Sequence, residues 1–163
     1  MLEKNRYLLC VQGENQAVIT GWRVDEDIAV FGNTPEWLMT KRAVSVFEYA
    51  NGKAKLVNTI GIECKNEKAN GAAIRLSNDG KYLYISLREE NVICVYAVNG
   101  ETFTLRQKID CGGDSPRDFN IFDKHLVVCN EKSDGVVLFK SNQDMVWKSY
   151  NKIIIPQALC VII

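Results

Sequence analysis

Two stretches decide the fold: Leu83-Tyr84-Ile85-Ser86 and, 43 positions later, Leu126-Val127-Val128-Cys129. Holding that offset without a gap places Asn91 on Asp134, Ile93 on Val136, Val95 on Leu138 and Tyr96 on Phe139. Lys81 falls on Lys124, and Phe103 on Val146. A self-similar period of this length is that of a four-stranded propeller blade, whose repeats run to roughly 40–50 residues. Within the first unit, residues 82–87 and 92–98 are short β-branched and aromatic runs. Asn78-Asp79-Gly80 and Asn99-Gly100 supply residues that accept the positive φ of tight turns. Residues 71–77 predict an inner strand, because small side chains suit the crowded centre where blades converge. The second unit repeats the order over 117–121, 125–130, 135–140 and 145–150. Helical periodicity is weak throughout, which argues against an α/β sheet.

The clearest repeats are therefore 71–112 and 114–155. Upstream, residues 44–49 followed by Asn51-Gly52 match 93–98 followed by Asn99-Gly100 at an offset of 49, the excess fitting a longer loop around 63–69. Residues 7–11 and 17–24 predict a further hairpin. Residues 25–42, with Pro35, fit no repeat and read as an irregular connection. Residues 155–163 predict one more inner strand that leaves apolar surface uncovered. The 163 residues make a single all-β domain, a partial β-propeller of roughly three to four four-stranded antiparallel blades.

Twenty basic and twenty acidic residues cancel and are mixed along the chain, so no basic stripe offers a nucleic-acid surface. The charged residues 1–6 lead into an apolar run, 7–11, too short for a signal-peptide core. No stretch approaches the roughly 18 apolar residues of a membrane span, and a cytoplasmic protein is expected. The six cysteines include no Cys-x-x-Cys, and His125 stands at no ligand spacing from them. Free structural thiols, no metal and no cofactor are expected. Trp22, Trp37 and Trp147 read as packing residues. Cys111-Gly112-Gly113 lacks the lysine and the helix of a phosphate-binding loop.

One phrase is more specific. Residues 72–88 read Ala-Ala-Ile-Arg-Leu-Ser-Asn-Asp-Gly-Lys-Tyr-Leu-Tyr-Ile-Ser-Leu-Arg, and Ser115-Pro116-Arg117-Asp118-Phe119 follows at blade distance. Residues 50–139 thereby resemble the lactonase-type propellers that include 6-phosphogluconolactonase and carboxymuconate-lactonizing enzyme. The resemblance implies about half of a seven-bladed propeller and hydrolysis of a sugar-acid lactone without a cofactor. It also implies two site arginines, matched by Arg88 and Arg117, with Asp118 beside them as a substrate contact. A guanidinium can fork onto a phosphate or carboxylate, or stabilise the oxyanion of lactone attack. The family histidine follows a Pro-Arg pair, and no Pro-Arg-His occurs here; Glu14 stands one residue from the place of the family glutamate. The residues themselves leave alternatives open. Arg88 precedes Glu89-Glu90 and suits a surface ion pair, Arg117 suits a bridge between blades, and Asp118 and Asn120 suit backbone capping. A non-catalytic propeller piece, self-associating or pairing with further blades through open edges, is the competing reading.

Overall fold

The computed structural model describes residues 6–12, 16–21, 43–50, 53–66, 68–77, 79–99, 102–142 and 146–161. Up to residue 57 it describes the backbone, together with the side chains of Val44, Val46 and Leu56. Among the described residues twelve strands form three four-stranded antiparallel sheets. Sheet one holds β1 (Arg6–Gln12), β2 (Gln16–Gly21), β3 (Ala43–Ala50) and β4 (Lys53–Gly61) in the order β2-β1-β3-β4. Sheet two is a plain meander of β5 (Gly71–Leu76), β6 (Tyr82–Leu87), β7 (Val92–Asn99) and β8 (Thr102–Asp110). Sheet three repeats it with β9 (Pro116–Phe122), β10 (His125–Asn130), β11 (Gly135–Ser141) and β12 (Trp147–Ile154). The inner edges meet: β1 and β2 lie against β5, and β5 and β6 lie against β9. Among the described residues no helix is long and apolar enough to cross a membrane.

The repeat is written into the backbone. Asn91 and Asp134 both adopt left-handed φ, at 58° and 46°, in the turn between second and third strands. Each uses its side chain in the same way. Asn91 Oδ1 accepts the Ser115 amide at 2.9 Å, and Asp134 Oδ1 accepts the Gln157 amide at 2.9 Å. A short polar side chain that tolerates left-handed backbone thus also ties one sheet to the segment that follows it. The fourth strand of every sheet carries a bulge opposite the equivalent step of the third, Val46/Phe47, Val95/Tyr96 and Leu138/Phe139. The offsets of 49 and 43 read from the sequence therefore hold in the hydrogen-bond register.

Alternation of side chains assigns the core. Leu83, Ile85 and Leu87 of β6, with Cys94 and Tyr96 of β7, pack toward Val44 and Val46 of sheet one. Tyr84, Ile93 and Val95 point the other way, onto Phe119, Leu126, Val128, Val137 and Trp147 of sheet three. The central strands of sheet two, β6 and β7, are covered on both faces and read as near-continuous apolar runs. Sheet three is covered on one face, and β11 alternates buried with partly exposed residues while β12 is exposed beyond Trp147.

Three expectations differ from the structure. Residues 155–161 form no strand; the backbone amides of Gln157 and Val161 donate instead to the side-chain carboxylates of Asp134 and Asp118. The outer strand of sheet three runs over 147–154 rather than 145–150. The inner strands are offset by 45, since Arg75 faces Tyr84 where Asn120 faces Val127, and the turn joining β9 to β10 is two residues shorter. The hairpin of residues 7–11 and 17–24 is found as β1 and β2, with β2 rather than β1 at the inner edge. The expected irregular connection, 25–42, lies outside the described residues, as do Trp22 and Trp37.

Asp118 clasps the inner strands. Its Oδ1 accepts Arg75 Nη2 at 2.8 Å from β5, and its Oδ2 accepts the Val161 amide at 3.0 Å. Arg75 and Val161 stand 43 residues before and after it. The Arg75 side chain also donates to Ile74 O and lies 5.8 Å from the Phe119 ring centre. Between sheets two and three, Gly113 is pressed where a Cβ would stand 2.5 Å from Ser133 Oγ and 2.6 Å from Asn130 Nδ2. Both atoms are occupied: Asn130 donates to Cys111 O, and Ser133 Oγ accepts the Asp114 amide.

Two stability predictions follow from these contacts, each read as the midpoint of denaturant unfolding. Asp118→Ala leaves a half-buried guanidinium without its partner and costs about 1–3 kcal/mol. Gly113→Ala costs about 1–3 kcal/mol through the forced shift of Asn130 and Ser133. Gly61→Ala, where nothing lies within 4 Å of the added carbon, is the control and stays within about 0.5 kcal/mol of the parent.

Candidate active site

The two arginines singled out in the sequence lie at the same end of sheets two and three. Arg88 opens the turn that follows β6; its amide donates to Asn70 O at 2.9 Å and its carbonyl accepts the Asn91 amide at 2.8 Å. Asn91 in turn holds Ser115, two residues before Arg117, so one side-chain hydrogen bond joins the Arg88 turn to the start of β9. Arg117 occupies a bulge. Cys129 faces Asp118 and Asn130 faces Pro116, which leaves Arg117 as the residue with no opposite number. Bulges of this kind re-aim a side chain at the rim of a sheet.

Neither arginine is neutralised among the described residues. Among the described residues no carboxylate lies within ion-pair distance of Arg88 or Arg117, and Arg88 Nε is buried without a hydrogen-bond partner. The surface ion pair considered for Arg88 is made elsewhere. Glu90 pairs with Lys108 at 2.6 Å and accepts the Lys65 amide at 2.7 Å. Burial alone would raise the Glu90 carboxyl, but these donors outweigh it and hold it below its ordinary range. The bridge between blades considered for Arg117 is made by Arg75, the cation that sequence reasoning missed. Asp118, expected to contact substrate, has both oxygens engaged within the chain. Further buried polar atoms without protein partners cluster at this end, namely Glu89 Oε2, Ser115 Oγ and Asn130 Oδ1. Such atoms are uncommon in folded proteins and mark places where water or ligand completes the bonding.

The remaining candidates sort simply. Glu14 lies outside the described residues. His125 stands at the opposite end, stacked on Phe122 at 5.2 Å and edge-on to Tyr150 at 6.2 Å. Cys94, Cys111 and Cys129 are buried free thiols; burial pushes Cys94 up to about 12 and the other two up to about 11. They are protonated at neutral pH and ill suited to nucleophilic work. Among the described residues no group of three His, Cys, Asp or Glu side chains is placed to hold a metal ion.

Comparison with known proteins places the fold in a family. An uncharacterized protein of Staphylococcus aureus is 39% identical over 108 residues, covering 62% of this chain and 32% of its own length. A crystal structure from Bacteroides uniformis, assigned as a 6-phosphogluconolactonase, superposes with a TM-score of 0.63 at 30% identity, covering 74% of this chain and 37% of that one. A Lactobacillus plantarum protein superposes with a TM-score of 0.68 at 25% identity, covering 94% of this chain and 42% of that one. The chain spans about a third of the length of the curated relatives it matches. The family profile described as "Lactonase, 7-bladed beta-propeller" matches residues 40–163, and with its three sheets in propeller order the chain belongs to that lactonase family.

Proposed function

We propose that this chain contributes the arginine half of a lactone-hydrolysing site, acting on a sugar-acid lactone of the 6-phosphogluconolactone kind. The observation that carries the reading is the pair Arg88 and Arg117, uncompensated by any described carboxylate and coupled through the Asn91–Ser115 hydrogen bond. Family membership and the neighbour from Bacteroides uniformis support it.

In the proposed reaction a water oxygen adds to the lactone carbonyl carbon, and the carbonyl oxygen takes up negative charge. The ring C–O bond then breaks, the ring oxygen leaves with a proton, and a hydroxy acid results. A guanidinium stays charged throughout, so an arginine stabilises charge rather than moving the proton. One arginine stabilises the oxyanion and the other grips the anionic end of the substrate. Asp118 serves by fixing Arg75 and the start of β9 beside Arg117. Proton transfer from water falls to a carboxylate outside the described residues, the role the resemblance gives to Glu14.

A second reading rests on the outer face of sheet three. Tyr150, Ile153, Ile154 and Leu159 are 55, 46, 81 and 51% exposed, an apolar strip on the edge strand and the segment after it. Sheets one and two are each covered on that side by the next sheet, so the strip suits association with a further blade or a second copy.

Lactone hydrolysis by the purified chain, followed by pH-stat, tests the first reading. Turnover above the spontaneous rate should fall at least tenfold, about 1.4 kcal/mol of transition-state stabilisation, in Arg117→Ala and Arg88→Ala. Background-level hydrolysis in a folded sample of the parent chain would sink it. Sedimentation velocity tests the second reading. The parent should associate with rising concentration and Ile154→Asp, at an exposed position, should remain monomeric; a parent that stays monomeric throughout contradicts it.

A further inference from the structure

The turn that carries Arg88 is fastened on its upstream side by an ion pair, Glu90 with Lys108, that the proposed reaction leaves unused. Glu90 Oε1 accepts Lys108 Nζ at 2.6 Å, and Oε2 accepts the amides of Lys65 at 2.7 Å and Asn66 at 3.4 Å. Asn66 returns the contact, its Nδ2 donating to Glu89 O at 2.8 Å. Lys65 and Asn66 lie on the segment that leads from β4 into β5, and the same segment accepts the Arg88 amide at Asn70 O. Arg88 is therefore bracketed. Asn70 holds its own amide, and Glu90, two residues on, holds the earlier part of the segment against the turn.

The pair is placed to stay charged. The side chains of Lys108 and Glu90 are 25 and 11% exposed. Burial would lower the Lys108 ammonium, but the bond to Glu90 outweighs it and holds it above its ordinary range. Glu90 is held below its own range by its donors, so both partners are ionised at neutral pH. An ion pair taken out of water adds little net stability, because desolvation offsets the attraction; what it supplies here is a fixed geometry. Its charge matters as well. Glu89 and Glu90 directly follow Arg88, and a free carboxylate so near would compete with an anionic ligand for the guanidinium; Lys108 occupies Glu90.

The repeat supplies a comparison. In sheet three Glu131 stands where Arg88 does, and its amide donates to Ser115 O as the Arg88 amide donates to Asn70 O. Lys152, which faces Val137 as Lys108 faces Cys94, donates directly to Gly112 O at 3.2 Å. Ser133, in the place of Glu90, accepts the Asp114 amide with its hydroxyl. A turn at this position thus closes on the incoming segment without a carboxylate. Of these two sheets, the carboxylate and its ion pair belong to the one whose turn bears the arginine. We infer that Glu90 and Lys108 are positioning residues for Arg88, fixing its turn against the segment from β4 and keeping the Glu90 carboxylate off the guanidinium. The inference rests on the anion-binding role proposed for Arg88.

The test titrates 6-phosphogluconate, the product of the proposed hydrolysis, by calorimetry; its carboxylate and phosphate offer an anionic group for either arginine role. Amide hydrogen exchange at Lys65 and Arg88 is followed by NMR on the same proteins. Arg88→Ala sets the scale and should lose about tenfold in affinity. Lys108→Met keeps the aliphatic stem and removes the charge; it should weaken binding about fivefold and speed exchange at both amides by a similar factor. Lys108→Arg restores the charge and should keep both close to the parent. Lys108→Gln, neutral and polar at a partly exposed position, should behave as Lys108→Met and keeps the test open should that variant unfold. Faster exchange with unchanged affinity in the neutral variants makes the pair merely structural and overturns the inference. Unchanged exchange overturns it too, as does Lys108→Arg binding as weakly as Lys108→Met. A parent that does not bind the product, or Arg88→Ala that binds it as the parent does, fails the lactonase reading at Arg88 and takes the inference with it. Loss in Arg88→Ala without loss in Lys108→Met overturns the positioning role alone.

Discussion

The central strands of sheet two have no solvent face, and most of the structure depends on that. Burying Leu83, Ile85 and Leu87 on one side and Tyr84, Ile93 and Val95 on the other requires a sheet on each flank. Each such side chain contributes about 1.5–3 kcal/mol when fully removed from water, so a single four-stranded sheet has little stability alone. Stability in this fold belongs to the interfaces between sheets. The same argument explains β12: lacking a further sheet, it keeps Ile153 and Ile154 in water although they are as apolar as anything in the core.

The interfaces are made specific by polar contacts at fixed places in the repeat. Apolar packing alone would let neighbouring sheets slide. Asn91 and Asp134 remove that freedom at one end, each binding the amide at which the next segment begins. Asp118 removes it at the inner edge, where its two oxygens reach Arg75 on one side and Val161 on the other. An ion pair in such a half-buried place adds little net stability but is costly to leave half made, which suits it to fixing register.

These features differ in how far the sequence discloses them. The strands of sheets two and three are legible because alternation and turn chemistry are local, and a period of 43 repeats both together. The left-handed turns at Asn91 and Asp134 fall at positions that the same offset pairs. The inner strands are less legible, since a turn two residues shorter in sheet three makes Asn120 the equivalent of Arg75, where a constant period would give Asp118. The Arg75–Asp118 pair is hard to read for another reason: its residues are one period of 43 apart, but a period shows which positions are equivalent and not which side chains meet between blades. Residues 155–161 read as a strand because their composition is right, but a strand also needs a neighbour with free backbone groups. For the candidate site, resemblance supplied Arg88 and Arg117, while only the structure shows that a hydrogen bond couples them and that Arg117 sits on a bulge.

That coupling ties any chemistry at this end to the packing of the blades. Arg88 is carried by sheet two and Arg117 by sheet three, so their separation is set by the interface and not by either sheet alone. A site that acts on a lactone needs its charges placed to within about an ångström of the reacting atoms. The Asn91–Ser115 bond acts at the two residues where an error in blade stagger would separate the arginines, and the Asp118 clasp limits the same motion one residue beyond Arg117. Left-handed backbone at Asn91 and at Ser115, φ 58° and 61°, is what brings that amide and that side chain together. Strained turns are thus placed where two sheets must agree, and the positions that serve the fold are the ones that hold the arginines in register.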